Sequence, residues 1–255
     1  MPFVVEDMAA WAASGLLLSL RISPVFALAP PFTLTRVPPL FRALFGLGIA
    51  ACLASFRPDV ARLVDLSAAA LVATAARELM LGAVFVLAFQ LTWGALYFAG
   101  RTVDVQAGFG MALLIDPTTR GHTPLVGTLF AYAAGFVFFA MDGHSAVLRL
   151  LAASLEAVPL ADGVWTPSLA RLGAFLSVVF LTAFGVAGGA ILCLFLADLA
   201  IAAMSRTVPQ MNVLVLGFQV KTILLLLVLP ASFGVSGALL ARTATLTLEA
   251  LPGLF

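Results

Sequence analysis

The sequence predicts an all-α protein of the integral membrane type, and three observations carry that prediction. Of its 255 residues, 63% are hydrophobic and only 10% are charged, against roughly 25% charged in soluble domains. Leu79 to Gly100, Leu172 to Ala197 and Thr222 to Ala241 each lack Asp, Glu, Lys and Arg altogether. Each run is long enough for a helix to cross about 30 Å of hydrocarbon at about 1.5 Å per residue. The runs are continuous and do not alternate every second residue, which argues against a closed β-barrel.

Apolar segments cover 8–34, 37–56, 63–100, 121–141, 172–204 and 213–241. No repeat, linker or low-complexity tract separates them, so residues 1–255 are expected to form one domain of long, partly broken helical hairpins. Glu6 and Asp7 stand where a signal peptide would carry basic residues, and no cleavage site follows Met8 to Leu20, so no cleaved leader is expected. Pro24, Pro30, Pro31, Pro38 and Pro39 interrupt the first two segments, and Arg21, Arg36 and Arg42 are scattered among them. Proline removes a backbone donor, and a central arginine facing lipid costs about 2.5–3.5 kcal/mol. Such sequence suits a helix surrounded by protein, so the first quarter is expected to be buried in a larger assembly.

In the third segment, Glu78 follows Arg77 and precedes the uncharged run, which suits a helix-starting cap. Between this run and the next lies Asp104 to Pro117, with Gln106, Gly108, Phe109, Gly110, Met111, Asp116 and Pro117. Two glycines that permit unusual backbone angles flank bulky apolar side chains there. A shaped, partly apolar loop inside protein or lining a passage is the expectation. Asp142, Gly143 and His144 end the fourth segment as a helix-end turn, with Gly143 closing one element and Asp142 or His144 capping.

Gly185, Gly188 and Gly189 make the middle of the fifth segment glycine-rich, which permits close helix contact. Arg206, Pro209, Gln210 and Asn212 then form a polar turn before the sixth segment. Asp198 lies eleven residues before Pro209, and Lys221 eleven after Gln210. In an antiparallel hairpin each stands roughly 17 Å from the turn. They either pair or face one polar layer, or each meets a separate partner or water.

Net charge near +1 excludes a polybasic surface, so no nucleic-acid partner is expected. Arginines occur in almost every connection, and no positive-inside asymmetry emerges. Cys52 and Cys193 lie in apolar stretches and are expected to be small buried residues without a disulfide. No nucleophile–base pair, phosphate-binding glycine loop or HExxH pattern occurs, and His122 and His144 are the only histidines. Neither catalysis, a cofactor nor a metal site is expected.

In order along the chain come Leu20-Arg21 to Phe32 with Arg36-Val37-Pro38, then Arg77-Glu78-Leu79-Met80-Leu81-Gly82, then Ala99-Gly100. Gln106-Ala107-Gly108-Phe109-Gly110-Met111-Ala112 and Asp116-Pro117 follow, then Asp142-Gly143-His144, Ser154 and Pro159. Pro209-Gln210-Met211-Asn212, Gly217-Phe218 and Lys221 close the series. In order and spacing these strings resemble the FliR family of flagellar export-gate membrane proteins, whose injectisome counterpart is SctT. Gln219 and Leu214 depart from the proline and phenylalanine usual there, so the last helix is expected to start more regularly.

The resemblance implies a pore subunit for unfolded flagellar proteins in the bacterial inner membrane, at the flagellar basal body. It implies FliP-type, FliQ-type and FlhB-type partners, contact with membrane lipid, and much of the assembly raised above the bilayer plane. Residues 1–170 would be FliP-like in build, and 171–255 would carry a FliQ-like hairpin. The Asp104–Pro117 loop would then close the resting channel, with Phe109 and Met111 as plug and Gly108 and Gly110 as hinge; the alternative is that these side chains merely pack between helices. An SctT-like injectisome subunit and a stand-alone secondary transporter coupled through Asp198 and Lys221 are the rival readings.

Overall fold

The computed structural model describes residues 2–56, 67–109, 124–160, 168–207 and 212–254. Among them seven α-helices carry the fold: α1 (Pro2–Leu28), α2 (Pro39–Phe56), α3 (Ala68–Ala107), α4 (Leu125–Ala140), α5 (Gly143–Ala157), α6 (Leu169–Thr207) and α7 (Val213–Ala250). Short 3-10 turns at Phe32–Leu34 and Leu251–Gly253 follow α1 and α7. No strand occurs among the described residues, which are helical as the uncharged runs predict. Five helices are long and apolar enough to cross a membrane, or six if α4 and α5, bent by 73°, count as one broken span.

The helices outrun the apolar segments at their ends. Helix α3 continues past Arg101 and Asp104 to Ala107, and α7 past Arg242 to Ala250. Charged residues there end the hydrophobic pattern without ending the backbone ladder. Pro24 likewise lies inside α1 and does not interrupt it as expected. The proline has no N–H to offer the Leu20 carbonyl, and Gly82 of α3 packs there. A Cβ on Gly82 would sit 2.8 Å from Leu20 O and 2.7 Å from Arg21 O.

The chain divides into two compact units. The first comprises Met1–Leu91, Phe138–Phe175 and Thr245–Phe255. Here α1 and α2 run antiparallel in close contact: a Cβ on Gly46 would lie 2.6 Å from Ser23 Cα, and Trp11 Nε1 donates to Ser55 Oγ at 3.1 Å. Helix α5 presents Gly143, Val147, Leu151 and Ser154 as its buried face, the i, i+4 spacing of an amphipathic helix. Cys52 on α2 is exposed and Cys193 half-buried, contrary to the expectation that both lie inside. Both thiols are free. Helix α2 turns much of its apolar surface outward, so apolar neighbours in sequence did not mean burial for Cys52.

The second unit comprises Thr92–Val137 and Leu176–Ala244. Gly100 of α3 meets Gly127 of α4 so closely that a Cβ on Gly100 would lie 2.4 Å from Gly127 Cα. Trp93 Nε1 donates to the Ala131 carbonyl at 3.2 Å across the same pair of helices. Helices α6 and α7 form an antiparallel hairpin, with Ser236 Oγ donating to Val186 O at 3.3 Å. A Cβ on Gly185 would lie 3.4 Å from Leu239 of α7 and one on Gly189 3.4 Å from Ser232, ordinary van der Waals contact, whereas one on Gly188 would meet open space. A small side chain therefore has room at all three positions, and the close helix contact expected of these glycines does not depend on them.

Candidate functional site

Helix α3 ends where the glycine-rich loop begins. Gly108 adopts φ +92 and its N–H donates to Val105 O at 3.1 Å, a left-handed C-terminal turn that suits glycine. Side-chain space is also short there, because a Cβ would lie 3.1 Å from Phe218. Phe109 follows, half-exposed, with its ring edge-on to Phe218 of α7 at 6.4 Å between centroids. Gln106 donates from Nε2 to Ile191 O of α6 at 3.2 Å. Gly110, Met111, Asp116 and Pro117 lie outside the described residues.

Lys221 ties this corner together. Its Nζ donates to the Gln106 carbonyl at 3.1 Å and forms an ion pair with Asp198 Oδ1. Of the arrangements left open by the sequence, the structure has the two charges paired across the α6–α7 hairpin. The lysine side chain is 18% exposed and the aspartate 43%, so water and salt screen the pair and it contributes about 0–1 kcal/mol. Its importance is positional, because the same ammonium holds the last turn of α3 where the loop departs.

Asn212 caps α7: Val215 N donates to Asn212 Oδ1 at 3.3 Å, and Leu216 N to Asn212 O at 3.1 Å. Arg206 is exposed in the last turn of α6, where a cation suits the helix dipole. Pro209 and Gln210 lie outside the described residues.

The Asp142–His144 turn belongs to the first unit, and its roles differ from expectation. Asp142, not Gly143, takes the left-handed conformation (φ 56), and its side chain makes no cap hydrogen bond. An aspartate tolerates that region better than most side chains. Gly143 instead makes room for a ring, since a Cβ there would lie 2.5 Å from Phe138 Cδ2. His144 rests near the Phe139 ring, 6.0 Å between centroids.

Two arrangements were not predicted from the sequence. Arg21 and Glu78 are both fully buried and form a two-pronged pair, Nε to Oε2 at 2.6 Å and Nη2 to Oε1 at 2.8 Å. The guanidinium also donates to Ser154 O at 2.9 Å and Val158 O at 2.9 Å. Glu78 is therefore no helix-starting cap. Helix α3 begins ten residues earlier, at Ala68, and the carboxylate is the counter-charge that a buried arginine demands. Asp104 is the second: its buried carboxylate accepts Val126 N at 3.1 Å on both oxygens. Backbone donors at the start of α4 are thus satisfied from α3. An arginine stranded in an apolar run, and a lone carboxylate in another, were the clues to the first.

Long apolar helices, one of them ending in a lysine-anchored, glycine-turned corner, define a helical protein of the membrane type. The family model for bacterial export proteins, family 1, matches residues 12–245, and the chain belongs to that family. It is similar to the flagellar biosynthetic protein FliR of Bacillus subtilis, with 27% identity over 94% of this chain and 93% of the relative. The secretion system apparatus protein SsaT of Salmonella typhimurium is 29% identical over 54% of each chain. The Yop proteins translocation protein T of Yersinia pestis is 29% identical over 62% of each.

Proposed function

We propose that this chain is a subunit of the flagellar type III export gate in the bacterial inner membrane, forming the pore with FliP- and FliQ-type subunits beside an FlhB-type subunit. Residues 1–170 take the FliP-like role and the hairpin in 171–255 the FliQ-like one. Unfolded flagellar proteins pass through the pore, and no chemistry on them is required of this chain. Similarity to flagellar FliR over nearly the full length of both proteins supports the flagellar assignment above the injectisome one, where matched relatives cover 54–62% of this chain.

The observation that carries the gating role is the Lys221 tie to the Gln106 carbonyl, two residues before the left-handed Gly108 and three before the half-exposed Phe109. A loop fixed at its root and hinged two residues later can swing its apolar side chains without unwinding α3. Phe109 and Met111 then serve as a soft plug, with Phe218 as the resting seat for Phe109. The test is Phe109→Ala in the assembled gate, measuring ion leak and flagellar secretion together. Raised leak is expected. Unchanged leak with unchanged export would mean that Phe109 only packs.

A further inference from the structure

In the first unit, Phe26, Phe32, Thr35, Val37, Phe41, Arg42, Phe45, His144 and Leu148 line a cavity of about 420 Å3, within the size range of ligand pockets. Its wall is aromatic and braced: Phe26 meets Phe32 at 4.9 Å and Phe45 edge-on at 5.4 Å between centroids. Arg42 stands against this wall with Nε and Nη1 buried and, among the described residues, without a hydrogen-bond partner. None of the lining residues is acidic. Arg21, by contrast, meets a carboxylate and two carbonyls. Buried guanidinium donors are costly to leave unmet, and an oxyanion is the acceptor that satisfies them best.

The position of the cavity says what brings that acceptor. Arg42 lies in the first turn of α2, a helix of 18 residues that is long and apolar enough to span a bilayer. On α2 the cavity-lining Phe41 and Phe45 are exposed apolar side chains, as are Leu44 and Leu47, and together they make an apolar strip beside the cavity. A charged site at the end of a span, opening onto an apolar strip, matches a molecule with an anionic head and an acyl body. We propose that this cavity binds a membrane phospholipid, its phosphate paired with Arg42 in the two-pronged manner guanidinium favours and its acyl chain lying along α2.

Native mass spectrometry of the full chain, purified in mild detergent and given phosphatidylglycerol, tests this. One lipid per chain is expected on the unaltered protein, and Arg42→Ala should weaken binding roughly tenfold or more. Leu148→Trp keeps the arginine but fills the cavity, and should expel the lipid as well. This second variant decides the matter if Arg42→Ala does not fold. Equal lipid on all three proteins would overturn the proposal. So would inorganic phosphate displacing the lipid, which would mark a free-anion site. A photoreactive residue at Leu148 that crosslinks to a neighbouring protein but not to lipid, in native membranes, would overturn it in favour of a subunit contact.

Discussion

At the scale of single residues, Arg21 and Glu78 show what a charge costs in an apolar fold. Both side chains are fully buried, and the arginine satisfies its donors on one carboxylate and two backbone carbonyls. Removing one partner leaves the other charge buried and alone, which costs about 3–5 kcal/mol. Arg21→Ala or Glu78→Gln is therefore expected to lower thermal stability sharply in detergent. The double change Arg21→Met with Glu78→Leu should recover much of the loss, because it removes both charges and fills the space. A double variant as unstable as the single ones would mean that the backbone contacts of Arg21, not its charge pairing, hold the site. The sequence could not disclose this pair, since 57 residues separate its members. It disclosed only that Arg21 sits uncomfortably in an apolar run, which is half of the argument.

Between elements, the closest approach is α3 on α4 at Gly100 and Gly127. With a Cβ at Gly100 placed 2.4 Å from backbone, neither helix can yield by turning a side chain aside. Gly100→Ala is expected to destabilise by about 1–3 kcal/mol, the usual cost of overpacking, despite the gain in helix propensity. A thermal melt of the purified protein measures it, and an unchanged or raised melting temperature would refute it. The elements themselves were largely legible: uncharged runs marked α3, α6 and α7 because lipid-compatible helices exclude charge. Helix α5 was not, because Arg149 and Glu156 break its apolar content into a stripe. The ends of α3 and α7 were hidden for the same reason. Register arithmetic fared better, since counting from the polar turn placed Asp198 and Lys221 at one height, and the structure pairs them.

For the whole molecule, helix length is the dominant fact. Helices α3, α6 and α7 have 40, 39 and 38 residues, or about 57–60 Å each at 1.5 Å per residue. Hydrocarbon is only about 30 Å thick. Half of each helix must therefore lie outside it, tilt strongly, or be covered by protein. In a variant with Cys52 and Cys193 changed to serine, single cysteines at the exposed Val72, Met80, Leu87, Phe98 and Val105 of α3 can be reacted with a polar maleimide. With the chain reconstituted alone in lipid discs, protection is expected over no more than about 25 consecutive residues. Protection at all five positions would mean that the helix never leaves the bilayer. The corner after α3 was legible as a special join from Gly108, which turns left-handed there. Its anchor was not, because a lysine reaching a backbone carbonyl 115 residues away leaves no trace in local pattern.

Lys221 carries the only lysine amine in the chain, and the ammonium is engaged by Asp198 and by the Gln106 carbonyl. Nature has thereby installed a single chemical reporter at the root of the loop. An acylating reagent should modify this amine slowly while the tie holds and faster whenever the root lets go. Asp198→Asn, which removes the counter-charge and leaves only neutral acceptors, should speed the reaction without adding any probe to the protein.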